Sequence, residues 1–366
     1  MRLLIQPDDG TLSLIKGIAG AKNSVDIVIF RFDQREIERA LANAVSRGVS
    51  VRALIASTNT AGEENLRKLE LRLLAAGVTV ARTADDLVRY HGKLMIIDRR
   101  ELYLLAFNWT HLDIDRSRSF AVITKSRNVV REVLRLFEAD VKRIPYEPGL
   151  ASVVVSPLNA RKVLARFIQQ AKKELVVYDP KVSDQAMIRL LGERARAGVN
   201  IRVIGRLLGT VPGVTVRRLT QMRLHTRTMV RDGQVAFVGS QSLREPELDS
   251  RRELGLIFRD ARAVERLLQT FEADWAQEQR ADQEAAPIPS PTTRIAKKVA
   301  KAVAKEIPPV TPIVNGALQD VVGEAEIELL QREVEEVVKD AVKEAVEEIV
   351  RDAVEEALEK DAASPA

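Results

Sequence analysis

The chain has 366 residues, of which 46% are hydrophobic, so it can build two ordinary domains or one large double domain with appendages. Its formal net charge of +5 combines a basic body, with 47 Lys and Arg against 35 Asp and Glu in residues 1–293, and an acidic end, with 5 against 16 in residues 317–366. Cysteine is absent and no apolar run is long enough for a signal peptide or a membrane span, so we expect a cytoplasmic protein without disulfides or thiolate metal sites that touches a membrane only peripherally.

The order of strands and helices predicted from the N-terminus onward occurs twice. Upstream, residues 21–30 match residues 171–180 at an offset of 150. Further along, residues 91–140 match residues 225–274 without a gap at an offset of 134, and both segments end in Phe-Glu-Ala-Asp. Each half is predicted to contain a strand, an amphipathic helix, a glycine turn, a strand, a variable link, a hairpin and a closing helix.

The change of offset places an insertion in the first half, where residues 63–77 predict an extra helix. The alternation of strands and helices predicts an α/β fold with two pseudo-symmetric half-domains, each a mixed β-sheet flanked by helices. We place these half-domains at residues 1–145 and 146–280, and a C-terminal helical tail follows them.

A histidine and a cation, two residues apart, head the apolar run of each predicted hairpin. In "YHGKLMIID" they are His91 and Lys93, and the equivalent residues of the second half are His225 and Arg227. Because alternate side chains of a strand share a face, each imidazole should point to the same side as its cation. If the halves pack face to face around a pseudo-two-fold axis, both pairs meet at one site, which suits an anionic ligand.

An aspartate follows each histidine by seven residues. Asp98 and Asp232 are predicted to lie on the opposite face from their histidines, at the start of the hairpin turn. The pair Asp232-Gly233 is favoured in type I′ turns. We therefore include both aspartates among the site residues as turn formers that support the site.

These residues resemble the phospholipase D superfamily, whose signature of His-x-Lys, four residues and Asp is used twice. Residues 91–98 match this signature fully, and residues 225–232 match it with arginine in place of lysine. The resemblance covers residues 1 to about 280. It implies that both copies build one active site, which cleaves a phosphodiester without a metal or another cofactor.

The accessory residues of the family are divided between the halves. The second half retains a Gly-Ser pair, which ends at Ser240, and the later Glu253, but it has Ser242 where asparagine is usual. The first half retains Asn108, but it lacks Gly-Ser and has Ser119 where the glutamate is usual. The full set exists only when the halves are combined, which fits one asymmetric site and also fits a degraded one.

In the family one histidine attacks phosphorus to form a phosphohistidine, while the other protonates the departing alcohol and then activates water or an acceptor alcohol. We expect His91 to be the nucleophile, because its motif is intact, and His225 to be the acid and base. The opposite assignment stays open, because a hydrogen bond between Glu253 and His225 would make that imidazole the more basic one. The resemblance implies that the phosphate is held by Lys93, Arg227, Asn108, Ser240 and Ser242.

The leading hypothesis is a phosphodiesterase that acts on a phospholipid by hydrolysis or phosphatidyl transfer. The basic body and the same chemistry also suit an endonuclease of the superfamily, but an aromatic content of 4% offers little for stacking on single strands. A third alternative is a catalytically degraded scaffold that binds phosphate groups. The remaining histidine, His111, has no counterpart in the second half and is expected in a loop.

The composition changes after residue 280. Residues 281–316 are predicted to be a proline-rich linker that contains a short basic helix, and this helix could touch an anionic membrane. Residues 317–366 predict a long, acidic, amphipathic helix. A solvated helix, self-association through this helix, and docking on the basic body are the alternatives for its role.

Overall fold

The computed structural model describes residues 1–57 and 63–284. Residues Met1–Arg280 form one compact unit, and its mixed sheets flanked by helices confirm the expected α/β fold. The basic helix and the acidic tail expected beyond residue 284 lie outside the described residues. Within the described ranges, no helix is long and apolar enough to cross a membrane.

The described part of the first half contains eight strands and five helices. In chain order they are β1 (Arg2–Gln6), α1 (Leu12–Gly20), β2 (Ser24–Ile29), α2 (Arg35–Ser46), β3 (Ser50–Ile55), α3 (Glu63–Ala75), β4 (Thr79–Arg82), β5 (Arg89–Tyr90), β6 (Leu94–Ile97), β7 (Glu101–Leu105), α4 (His111–Asp115), β8 (Ser117–Thr124) and α5 (Arg127–Lys142). Helix α3 confirms the insertion that the change of offset predicted.

The described part of the second half contains nine strands and four helices. They are β9 (Val153–Val155), α6 (Ala160–Gln169), β10 (Glu174–Val182), α7 (Gln185–Arg196), β11 (Asn200–Leu207), β12 (Val214–Arg217), β13 (Arg223–Leu224), β14 (Arg227–Arg231), β15 (Val235–Gly239), α8 (Glu245–Asp249), β16 (Arg251–Arg252), β17 (Leu254–Phe258) and α9 (Ala261–Glu284). Helix α9 extends into the first residues of the segment that was expected to be a linker.

The two main sheets have the same strand order. The first sheet runs β1-β8-β7-β6-β2-β3-β4, and the second runs β9-β17-β15-β14-β10-β11-β12. In each sheet the last three strands of this series are parallel and the others are antiparallel. The topology therefore repeats strand by strand, as the internal similarity of the sequence predicts.

A short strand of each half pairs with a strand of the other half. Strand β5 pairs in parallel with β16 of the second half, and β13 pairs in parallel with the start of β8 in the first half. The crossings continue into the histidines that follow, because the backbone N–H of His91 donates to Arg252 O at 2.7 Å and that of His225 donates to Arg118 O at 3.1 Å. Each histidine is thus fixed to the opposite half.

The apolar core has two outer clusters, one in each half, a larger cluster that both halves build together, and a small cluster around Phe30. Two buried ion pairs border the shared cluster. Arg118 of the first half forms two hydrogen bonds with Asp274 of the second, at 2.9 and 3.0 Å, and Arg252 contacts Asp140 at 3.2 Å. The hydroxyl of Tyr178 also donates to Asp274, at 2.6 Å. Packing and charge therefore hold the halves as one body.

Candidate active site

The imidazole of His91 is held at both nitrogens. It lies just before β6 with 7% of its surface exposed, and the ring of Phe30 packs edge-on against it at a centroid distance of 4.5 Å. Nδ1 lies 2.9 Å from Glu253 Oε2, and Nε2 lies 2.8 Å from Lys93 Nζ. Because an ammonium only donates, Nε2 accepts from Lys93 and Nδ1–H donates to the carboxylate.

The partner of Glu253 lies in the other half of the chain. The sequence leaves open a bond between this carboxylate and His225, in its own half, but Glu253 bonds His91 of the other half. The reason is the β5–β16 crossing, which sets the segment that carries Glu253 beside the segment that carries His91. Burial raises the pKa of Glu253, while the nearby charge of Lys93 opposes this shift.

The second histidine is held by a different residue. Ser119 occupies the position equivalent to Glu253, and its buried hydroxyl has no hydrogen-bond partner among the described residues. Instead, Nδ1 of His225 lies 3.2 Å from Asp113 Oδ2. The two atoms are not aligned for a hydrogen bond, so the carboxylate is close to the imidazole without bonding it.

Asp113 is almost fully buried, with 2% of its side chain exposed, and it has several donors. Its Oδ2 accepts from the backbone N–H and the side-chain amide of Asn108, at 2.8 and 2.6 Å, and its Oδ1 pairs with Arg223. In the second half Glu247 occupies the equivalent position and accepts from the backbone N–H of Ser242 at 2.8 Å. Neither carboxylate was predicted from the sequence, although the gap-free match aligns them.

The second cation, Arg227, is held in position by hydrogen bonds to its own half. Its guanidinium donates to the backbone oxygen of His225 at 2.6 Å and to the hydroxyl of Ser242 at 3.3 Å. That hydroxyl donates to Asp179 Oδ1 at 2.7 Å. Asp179 is fully buried, which raises its pKa, and the sequence analysis missed it because its counterpart in the first half is Ile29.

Charge interactions connect the two motifs across the halves. Burial lowers the pKa of both histidines well below the usual value, and the cations lower them further. Arg227 lowers the pKa of His91, and Lys93 lowers the pKa of His225, so each cation affects the histidine of the other half. Burial also lowers the pKa of Lys93 to about 7. The structure thus brings both motifs to one buried, electropositive site.

Two expected phosphate ligands have other partners within the protein. The amide nitrogen of Asn108 bonds Asp113, although its buried Oδ1 makes no hydrogen bond among the described residues. The hydroxyl of Ser240 accepts from the backbone N–H of Leu254 at 3.1 Å. Both side chains are buried and support neighbouring parts of the site.

Asp98 and Asp232 lie at the far ends of the strands that follow the histidines. Asp98 accepts hydrogen bonds from the backbone N–H groups of residues 22–24 at 2.6–3.1 Å, and Asp232 accepts from those of residues 172–174 at 2.7–3.2 Å. Their φ values of 50° and 52° fit hairpin turns. These contacts agree with a supporting role and place both aspartates outside the reaction site.

The third histidine lies on the surface. His111 begins the short helix α4 rather than a loop, and its Nδ1 lies 2.8 Å from the exposed Asp115. No cluster of three His, Asp or Glu side chains that could hold a metal ion occurs within residues 1–57 and 63–284.

Comparison with known proteins supports the interpretation of these motifs. The family model described as "Cardiolipin synthase, PLD-like domain" matches residues 14–141 and 208–275, just over half of the chain. Mitochondrial cardiolipin hydrolase of Danio rerio is 30% identical over 134 residues, which are 34% of this chain and 56% of that protein. The Homo sapiens protein of the same name is 31% identical over 126 residues, 34% of this chain and 48% of that protein. The chain spans about half the length of the curated relatives it matches.

Two solved structures share the fold. Polyphosphate kinase from Porphyromonas gingivalis superposes with a TM-score of 0.64 at 18% identity, over 75% of this chain and 50% of that chain. Phosphatidylserine synthase of Haemophilus influenzae Rd KW20 superposes with a TM-score of 0.56 at 11% identity, over 83% of this chain and 94% of that chain. Together with the family match and the two converging motifs, these similarities show that the chain belongs to the phospholipase D superfamily.

Proposed function

We propose that the protein is a phosphodiesterase that hydrolyses a phospholipid, or transfers its phosphatidyl group, through a phosphohistidine intermediate. The observation that carries the proposal is the convergence of two imidazoles and two cations from both halves in one buried site. Cleavage of a phosphodiester needs a nucleophile, an acid for the leaving oxygen and positive charge near the phosphoryl oxygens, and these four side chains supply all three.

In the first step Nε2 of His91 attacks phosphorus, an N–P bond forms and the P–O bond to the alcohol breaks. Lys93 leaves Nε2 and binds a phosphoryl oxygen, which exposes the lone pair for the attack. Glu253 holds Nδ1–H and stabilises the positive charge that develops on the imidazole. His225, protonated when the anionic substrate binds, gives its proton to the departing alkoxide.

In the second step His225 removes a proton from water or from an acceptor alcohol. The resulting nucleophile attacks phosphorus, the N–P bond breaks and His91 is regenerated. Lys93 and Arg227 hold the phosphoryl oxygens in both steps, and the contacts of Ser242 with Arg227 and Asp179 keep the guanidinium in position.

The contact with Glu253 favours His91 as the nucleophile. A bond from Glu253 would make His225 the more basic imidazole, but Glu253 bonds His91 instead. The carboxylate beside His225 is shared with Arg223 and Asn108, so less of its charge acts on the imidazole.

Several observations favour lipid over nucleic acid as the substrate. The curated relatives are named cardiolipin hydrolases, and one structural neighbour is a phosphatidylserine synthase. The low aromatic content leaves few rings for base stacking. The endonuclease and the phosphate-binding scaffold are the alternatives, and the cytoplasmic, membrane-peripheral location stays a prediction.

A quenched reaction tests the proposal. Purified protein is mixed with phospholipid that carries labelled phosphate, denatured within the first turnover, and digested for peptide analysis. We expect acid-labile label on His91 and none in the His91→Asn variant. Label on His225 would reverse the two roles. A protein that cleaves plasmid DNA but no lipid would be the endonuclease, and one without label or turnover on either substrate would be the scaffold.

A further inference from the structure

Two arginines face each other beside the reacting histidine. Arg89 of β5 and Arg251 of β16 are directly paired in the parallel ladder between the halves. Like charges at directly opposed positions destabilise a sheet. The next pair of the same ladder, Tyr90 and Arg252, has no such conflict, because Arg252 contacts Asp140 and lies over the Tyr90 ring.

Because side chains alternate between the two faces of a strand, the sequence positions of these arginines indicate which face they occupy. Arg89 precedes His91 by two residues, and Arg251 precedes Glu253 by two residues, so both share a face with the histidine and its carboxylate. The Arg89 guanidinium lies 5.5 Å from the centroid of the Phe30 ring, and Lys93 Nζ lies at the same distance from that centroid. The arginines therefore adjoin the reaction site.

The positive charge there is incompletely balanced. Arg251 pairs with Glu247 at 3.1 Å, but that carboxylate also pairs with Arg244. Arg89 forms no ion pair with the residues that the structure describes; burial and then the nearby Arg251 lower its pKa, while Glu253 and Glu247 oppose this shift. A position where two guanidinium groups meet, and one of them makes no ion pair with the described residues, suits an external anion.

The equivalent position on the other side of the site has no such charge. The counterpart of Arg89 is Arg223, which is neutralised by Asp113, and the counterpart of Arg251 is Ser117. At this pair of equivalent positions, excess positive charge is therefore present on one side of the site and not on the other. A polynucleotide, which continues with phosphates in both directions, would have cations on both sides.

We propose that Arg89 and Arg251 form a subsite for a second phosphate of the substrate, so that the preferred substrate is a phospholipid with two phosphodiester groups. This inference rests on the proposed function. Two residues along a strand span about 6.6 Å, which is the separation expected between the reacting phosphorus and the second phosphate. A short bridge of several atoms, such as a glycerol, joins two phosphates over such a span, whereas the single shared oxygen of a diphosphate is too short.

The test compares a lipid that carries two phosphates with one that carries a single phosphate. Cardiolipin and phosphatidylglycerol are presented in mixed micelles at equal total phosphate, and KM and kcat are measured separately. We expect Arg89→Gln and Arg251→Gln to raise KM for cardiolipin on the order of tenfold, and KM for phosphatidylglycerol much less. The matched control is Arg131→Gln, on the exposed face of α5, which should change neither value.

A structural role for Arg89 is distinguished by the melting temperature. Because Arg89→Gln removes repulsion from Arg251, it should not lower Tm, and a fall in Tm with an equal loss on both lipids would contradict the subsite. An unchanged KM for cardiolipin would contradict it as well.

A binding measurement separates failure of the subsite from failure of the proposed function. Titration with glycerol 1,3-bisphosphate and glycerol 1-phosphate needs no turnover. If neither lipid is cleaved but the bisphosphate binds about tenfold tighter and Arg89→Gln removes this advantage, the subsite stands and the lipid reaction fails. If an oligonucleotide, but not cardiolipin, depends on Arg89, the lipid assignment is overturned.

Discussion

The two sides of the active site derive from one repeated pattern, yet each holds its histidine in a different way. On the first side, Glu253 crosses from the opposite half and bonds His91 at 2.9 Å. On the second side, Ser119 replaces that glutamate, and Asp113 approaches His225 at 3.2 Å without alignment. An internal duplication can therefore place two identical imidazoles in different surroundings, one bonded to a carboxylate and the other only close to one.

The largest effect should come from replacing the histidines themselves. We expect His91→Asn to lower kcat by roughly 10³-fold or more on every substrate, because the N–P bond cannot form. His225→Asn should slow formation of the intermediate as strongly for an alkyl ester, but much less for a p-nitrophenyl ester, whose leaving group needs no proton. Single-turnover rates with both esters measure this, and equal losses on both esters in the two variants would show that the roles are not divided.

The next effect concerns the carboxylates. Glu253→Gln should lower kcat by about 10²- to 10⁴-fold, because the amide cannot stabilise the charge that develops on His91. Asp113→Asn should cost less, on the order of tenfold, because the contact with His225 is poorly aligned.

A glutamate introduced at position 119 tests whether the two carboxylates act on different histidines. Ser119→Glu should recover activity in the Asp113→Asn background and fail to do so in the Glu253→Gln background. The dependence of kcat on pH is the second readout, since a carboxylate returned to His225 raises the apparent pKa of that imidazole. Recovery in both backgrounds would indicate a general effect of added negative charge.

The two ion pairs between the halves should contribute unequally to the free energy of unfolding. Asp274→Asn should lower the free energy of unfolding by about 3 kcal/mol, because it leaves the buried Arg118 without its partner. Asp140→Asn should cost less than about 1 kcal/mol, because burial already disfavours this carboxylate and raises its pKa to about 6.

Urea unfolding at several pH values measures the difference. As the pH rises from about 4 to about 6, the wild-type protein should lose stability relative to Asp140→Asn, because the unfolded chain has already released the proton that folded Asp140 retains. Equal costs for Asp140→Asn and Asp274→Asn would contradict the assigned asymmetry.

The smallest effect is a pH dependence that distinguishes the two cations. Because the pKa of Lys93 is about 7, the free enzyme loses this charge as the pH rises, and kcat/KM should fall by about tenfold per unit above pH 7. Lys93→Arg should remove this decrease, because a guanidinium stays protonated. Arg227→Lys, the reciprocal variant, should retain it, and a decrease that persists in Lys93→Arg would assign the titration to another group.

Much of the fold and the centre of the site could be predicted from the sequence, because the internal repeat aligns the elements around one insertion and aligns both motifs without a gap. The partners of the histidines could not be predicted in this way. Strand periodicity shows which face a residue occupies, but the β5–β16 crossing that brings Glu253 to His91 depends on how the halves dock. Asp179 gave no signal, because the first half has Ile29 in its place.

The crossing of the short strands also has a consequence in time. His91 and Glu253 are 162 residues apart in the sequence, so at ordinary translation rates the histidine leaves the ribosome on the order of 10 s before its carboxylate. During that interval the first half can fold its own sheet, but its nucleophile has no orienting partner. Under the proposed function, a newly made chain would therefore gain the orienting carboxylate of His91 only after its second half has docked.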